Sequence, residues 1–314
     1  MSEDELAAKA PLVRAFVQTL DPKEIESVHL HLVGGELLQD RLLADGWYLE
    51  QYRKIVLAFD QICQEFGFAA RTFLVTNLLF KKNILVNDWL GEMNRVSQIN
   101  LIVSYDSSGR PITKQYFENL TMVKTFVSNL NVVATNRTLR KLLDGDPRFE
   151  ELYENFDIFI DDFLPDKSTE GLIPSDELFL EFLQKFVGSH PGLLPYGPLF
   201  QKIDLSEWQD LQFATYNKCT ILPDGTMTNY LWPRHHQEHF RFDLSHADNS
   251  NFLAEFLDYH KCLSCEYFRI CPLRCPVSWA WRKPGRDFGC VNKAFFDSAR
   301  LKPSRDISQE AGKP

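Results

Sequence analysis

The sequence predicts an α/β protein whose parallel strands alternate with helices, followed by a small cysteine-rich region. Two observations carry that prediction. Short runs of Val, Ile and Leu alternate with longer amphipathic stretches, the pattern of βαβ units whose sheet is either open or curled into a barrel. Five of the seven cysteines (Cys262, Cys265, Cys271, Cys275 and Cys290) then crowd into one stretch near the end of the chain.

Each element has its own signal. Residues 3–20 carry helical spacing (Leu6, Ala10, Val13, Phe16, Val17, Leu20), with Pro11 as a break or a second start and Asp21-Pro22 as the stop. Residues 28–33 read as a strand that runs into Gly34-Gly35-Glu36. A helix over 48–66 ends at Gly67, the residue best suited to a left-handed helix terminus. Strands follow over 72–76, closing on Asn77, and over 99–105, closing on Asp106, with helix-like and loop sequence between them. A helix over 114–126, a strand over 131–135, a short helix over 137–143 and a strand over 156–160 continue the alternation. Residues 175–187 form an amphipathic helix that Ser175 can cap. Beyond a Pro- and Gly-rich linker, Pro223-Asp224-Gly225 marks the turn of a β-hairpin that begins at Cys219, and a helix over 251–259 leads into the cysteines. The expected division is residues 1–190 for the β/α unit, 191–210 for the linker, 211–300 for the cysteine-rich domain and 301–314 for a disordered tail.

In such sheets, sites form beyond the carboxyl ends of the strands. Gly34-Gly35-Glu36, Thr76-Asn77, Ser104-Tyr105-Asp106 and Thr135-Asn136 all fall at strand ends and would share one rim. Any one of them is an ordinary turn; four together favour a rim site. His29 and His31 alternate along one strand and share a face, most simply as a buried, hydrogen-bonded pair. Cys63 reads as a core residue, and Asp144, Asp146, Asp161 and Asp162 as solvated loop carboxylates.

Composition narrows the function. The 314 residues are 44% apolar and 13% aromatic, ample for a core. A net charge of −9 offers no broad positive field for nucleic acid or a membrane surface. No stretch of eighteen apolar residues exists and MSEDELAAKAPLVR is charged throughout, so a reducing, cytoplasmic location is expected. Disulfides suit that compartment poorly. The cysteine spacing Cys-x2-Cys-x5-Cys-x3-Cys, then fourteen residues before Cys290, offers one Cys-x2-Cys pair where structural zinc commonly uses two, or one with two histidines. Five thiolates also exceed one tetrahedral site, so an iron–sulfur cluster fits the ligand pattern better than zinc.

These residues resemble a known family. From about residue 5 to residue 297 the chain looks like a radical S-adenosylmethionine protein carrying a SPASM domain. The cysteine run CLSCEYFRICPLRCP with FGC resembles the SPASM signature, and Leu222-Pro223-Asp224-Gly225 the hairpin before it. VHLHLVGGELL is similar to the family's second barrel strand, and LVTN and LIVSYDSSG to the third and fourth. The resemblance implies an incomplete β/α barrel whose first strand is missing, and a rim of Gly34, Gly35, Glu36, Asn77 and Ser104 that faces S-adenosylmethionine. It further implies a 4Fe–4S cluster on Cys262, Cys265, Cys271 and Cys290, with Cys275 and Cys219 left for a second site. The family's next ligand, five residues past the hairpin glycine, is Tyr230 here, and His235, His236 and His239 read as a surface run. The family's radical chemistry also needs a Cys-x3-Cys-x2-Cys loop, and no such motif occurs in the sequence. The implied role is an accessory, substrate-binding or electron-relay partner of a radical enzyme acting on a peptide or protein. Half of a split enzyme completed by another chain is the alternative.

Overall fold

A computed structural model of the chain describes residues 3–33, 36–44, 46–81, 83–108, 112–163, 169–194, 219–222, 224–228, 261, 264–267, 271 and 290–298. Its centre is one parallel sheet of five strands in sequence order: β1 (Ser27–Leu32), β2 (Ala69–Thr76), β3 (Ile99–Tyr105), β4 (Val127–Ala134) and β5 (Ile158–Asp162). Each strand joins the next through helix: α2 (Trp47–Glu65), α3 (Asn83–Val96), α4 (Lys114–Val123), then the pair α5 (Asn136–Leu143) and α6 (Pro147–Asn155). The result is a parallel half-barrel with its helices on the outside. Leu194 adds one further parallel rung beside β5, through Ile160 N to Leu194 O (2.7 Å) and Leu194 N to Ile158 O (2.8 Å).

The helix α2 shows why the outer layer forms. Leu49, Tyr52, Ile55, Val56, Phe59, Ile62 and Cys63 recur at helical spacing and are all buried. Gly67 ends the helix in a left-handed conformation (φ 82°) that other residues adopt at a cost. Against it lies α1 (Glu3–Gln18), which runs through Pro11 without a break. Val17, Val28, Phe59, Ile62, Cys63 and Phe68 form a small core between them.

The strands bury one face and open the other. Leu74, Leu101, Val103, Leu130, Val132, Ile158 and Ile160 meet the helices and are buried. The inner face mixes polar and apolar side chains: His29, His31, Arg71, Asp161 and Phe159 are exposed there, Asn100, Ser104, Asn129 and Asn131 half-buried, and Ile102 buried. His29 and His31 do share a face, but as exposed neighbours of the Phe73 ring, not as a buried pair. Between β3 and β4 the register shifts at Leu101/Ile102, and Ser128 fills the gap by donating its hydroxyl to Leu101 O (3.1 Å).

Several element boundaries differ from the sequence reading. β4 begins at Val127, ahead of Asn131, because half-buried Ser128 and Asn129 hide its apolar alternation. A helix, α6, replaces the expected loop after Asp144: Asp146 caps it by accepting from Arg148 N (3.2 Å), and Pro147 occupies the first turn. Asp146 is correspondingly not a solvated carboxylate. The helix capped by Ser175 spans Asp176–Glu181 as α7, then widens to a π-helix over Phe182–Phe186 and tightens to a 3-10 turn over Val187–Ser189. The hairpin is present as β6 (Thr220–Ile221) and β7 (Met227–Thr228), with Gly225 at φ 85°.

Candidate functional site

Two polar knots form at the carboxyl ends of the strands. The first joins the ends of β1 and β2. Glu36 is buried, and its Oε1 accepts from Leu38 N (3.0 Å) and from the Thr76 hydroxyl (2.8 Å). Its Oε2 accepts from Asn77 N (2.7 Å). Asn77 Oδ1 in turn accepts from Leu79 N (3.0 Å), a local turn that its short side chain favours. A few residues on, Asp40 accepts from Lys81 N (2.7 Å), so two carboxylates of the loop after β1 fasten the loop after β2.

That second loop is held under strain. Leu78 is buried and stands at φ 57°, where a branched side chain crowds the backbone. Asn119 keeps it there: its buried amide donates to Leu78 O and to Phe80 O, each at 2.7 Å, and Gln115 donates to its oxygen (3.0 Å). Nothing in the sequence flags Asn119, because its partners are carbonyls some forty positions away.

The second knot joins β3 to β4. Asp106 Oδ1 accepts from Ser108 N (2.8 Å) and the Thr138 hydroxyl (3.4 Å). Ser107 N donates to Thr138 Oγ1 (3.1 Å), and Ser108 shares a hydroxyl hydrogen bond with Thr135. Thr135 itself caps α5 by accepting from Thr138 N (3.2 Å). A Thr-x-x-Thr pair after a strand is the signal that could have identified this knot from sequence.

Of the expected rim residues, Glu36 and Asn77 touch. Ser104 sits one residue below the rim on β3, opposite Asn131. Asn131 belongs to a ladder on the inner face: Asn129 Nδ2 donates to Asn131 Oδ1 (2.6 Å), and Asn131 Nδ2 to Asp161 Oδ2 (3.3 Å). Gly34 and Gly35 lie outside the described residues.

The thiols fall in two groups. Cys63 is deep in the α1–α2 core, where burial and then nearby Asp60 push its thiol up to about 12. Cys219 opens the hairpin, and burial pushes it up to about 12 as well. Neither is a ready thiolate. Cys265, Cys271 and Cys290 belong instead to the packing around α8 (Val291–Ser298). Cys290 leads into that helix, with its carbonyl accepting from Ala294 N (3.0 Å). Cys271 is buried, its N donates to Tyr267 O (2.8 Å), and Asn292 Nδ2 reaches its Sγ at 3.3 Å. Tyr267 stacks on Phe296 (4.9 Å), and Cys265 packs against the same core. Cys262, Cys275, Tyr230, His235, His236 and His239 lie outside the described residues. Among the described residues no three ligand side chains stand close enough to share a single metal ion. The donors suit an iron–sulfur cluster chemically: soft sulfur ligands, with an amide N–H aimed at one of them, are the surroundings such clusters use.

No protein-family model matches the sequence, and no curated protein does. Solved structures do match. Native anSMEcpe with bound AdoMet and the Kp18Cys peptide is 15% identical, with a TM-score of 0.63 over 96% of this chain and 89% of that one. The same protein with the Cp18Cys peptide is 14% identical at TM-score 0.62, covering 96% and 89%. Its hexahistidine-tagged form with AdoMet is 15% identical at TM-score 0.64, covering 96% and 88%. The likeness is one of fold.

Proposed function

We propose that this chain is an iron–sulfur-binding, radical-SAM-like accessory protein that holds a peptide or docks a radical enzyme and does not itself cleave S-adenosylmethionine. One observation carries the reading: among the described residues no thiolate set stands near the rim that could hold an open-iron cluster. Before Cys262 the sequence supplies only Cys63 and Cys219, and burial raises both thiols. The metal would instead be held by Cys262, Cys265, Cys271 and Cys290. A 4Fe–4S cluster bound there would supply one-electron transfer. Two of the solved neighbours carry peptides, and the inner-face ladder of Asn129, Asn131 and Asp161 offers donors and acceptors that suit a peptide main chain.

A second reading, half of a split radical enzyme, draws on the first knot. Glu36 accepts three hydrogen bonds that fix its carboxylate in one place at the strand ends. A negative charge fixed there would attract the ammonium of a ligand lying across the rim.

One pair of measurements decides. Anaerobically reconstituted protein, given S-adenosylmethionine and a strong reductant, is expected to release no 5′-deoxyadenosine; release would overturn the accessory reading. Calorimetry with S-adenosylmethionine is expected to show no binding. Binding without cleavage would move the assignment to the split enzyme.

A further inference from the structure

We propose that Asn292 is a positioning residue of the cluster site, holding Cys271 by an amide hydrogen bond to its sulfur. The inference rests on the cysteine-ligated cluster proposed above and extends it to a residue outside the ligand set. The Asn292 carboxamide is buried (1% exposed) and donates Nδ2–H to Cys271 Sγ at 3.3 Å. Burying an amide is unfavourable unless its N–H meets a good acceptor, and a neutral thiol is a weak one. A metal-bound thiolate is a strong one. The contact therefore gains most of its strength when Cys271 carries negative charge.

Placement makes the role specific. Asn292 stands two residues after Cys290, in the first turn of α8, so one rigid helix fixes both the path of Cys290 and the donor to Cys271. Phe295 and Phe296, further along α8, are fully buried in the main core and leave that helix little freedom. Lys293 bonds Glu266 (3.0 Å) and Asp297 (3.2 Å), clamping the Tyr267 segment from which Cys271 follows. Asn292 thus couples two cluster cysteines that lie nineteen positions apart, and links both to the barrel.

A hydrogen bond to a ligating sulfur withdraws electron density, favours the reduced cluster and slows ligand exchange. The test uses the full chain, reconstituted anaerobically with iron and sulfide. It compares wild type with Asn292→Asp, which keeps the shape and loses the N–H, and with Asn292→Leu. Read-outs are iron content, the midpoint potential by spectroelectrochemical titration, and the rate of iron loss to a chelator. Both variants are expected to load iron, to show a lower midpoint potential, and to lose iron on the order of ten- to a hundredfold faster. Should Asn292→Leu fail to fold, the near-isosteric Asp variant alone gives the answer. Iron-loaded variants with wild-type potential and wild-type iron loss would overturn the role of Asn292 while leaving the cluster in place. Wild-type protein that takes up no iron would overturn the cluster itself.

Discussion

Single carboxylates hold much of the rim together. Glu36 answers three donors, two of them backbone N–H groups. Glu36→Gln replaces one accepting oxygen by a donor and, in either orientation of the amide, leaves one backbone N–H facing N–H. The expected loss is about 1–3 kcal/mol of stability, read by urea or thermal unfolding. Asp146 is the second case. Burial alone would push its carboxyl up, but hydrogen bonds from Lys141 (2.8 Å) and Tyr105 outweigh it and hold the group below the usual carboxylate range. Its folded pKa is therefore lower than its unfolded one. That stabilisation is fully present above the unfolded value, about 3.9, and drains away as pH falls through the folded value. Asp146→Asn is expected to lower stability at neutral pH and to flatten the acid limb of a melting-temperature profile; an unchanged acid limb would remove Asp146 from the account.

At the scale of elements, α8 shows how a helix distant in sequence finishes the core. Phe296 is fully buried and stacks on Tyr267 at 4.9 Å. Phe296→Ala is expected to destabilise by about 3–5 kcal/mol, against a small effect for exposed Asp297→Ala, both by chemical unfolding. Strands and helices of this kind were mostly legible in the sequence, since apolar alternation and a glycine stop, as at Gly67, are local signals. Other features were not. The start of β4 is masked by Ser128 and Asn129, whose polar side chains face inward or fill a bulge. The π-helix at Phe182–Phe186 has no sequence signature, because Phe179, Phe182, Leu183 and Phe186 satisfy α spacing equally well. The rim's positions could be read from turn residues, but the partners of Glu36 and the support from Asn119 depend on which strands become neighbours. The exposure of His29 and His31 is hidden for the same reason: periodicity gives a shared face, while its burial is set by what the whole sheet packs against.

Across the whole molecule the five strands follow chain order, each parallel to its predecessor. β3 and β4 are flanked on both sides, whereas among the described residues β1 pairs only with β2. Hydrogen exchange is therefore expected to be slowest in β3 and β4 and markedly faster in β1; uniform protection would contradict a single sheet with β1 at its border. No helix among the described residues is long and apolar enough to cross a membrane. The packing of α8 on α7 also has a timing on the ribosome. The strands can pair as they emerge, each with the one just made, but α7, with Phe179, meets a helix encoded roughly a hundred residues later. At about 5–20 residues per second, α7 lacks its α8 partner for on the order of ten seconds in every nascent chain. Through that interval the growing chain is a target for chaperones and for its neighbours on the same polysome, and the arrival of α8 is what completes the packing of α7.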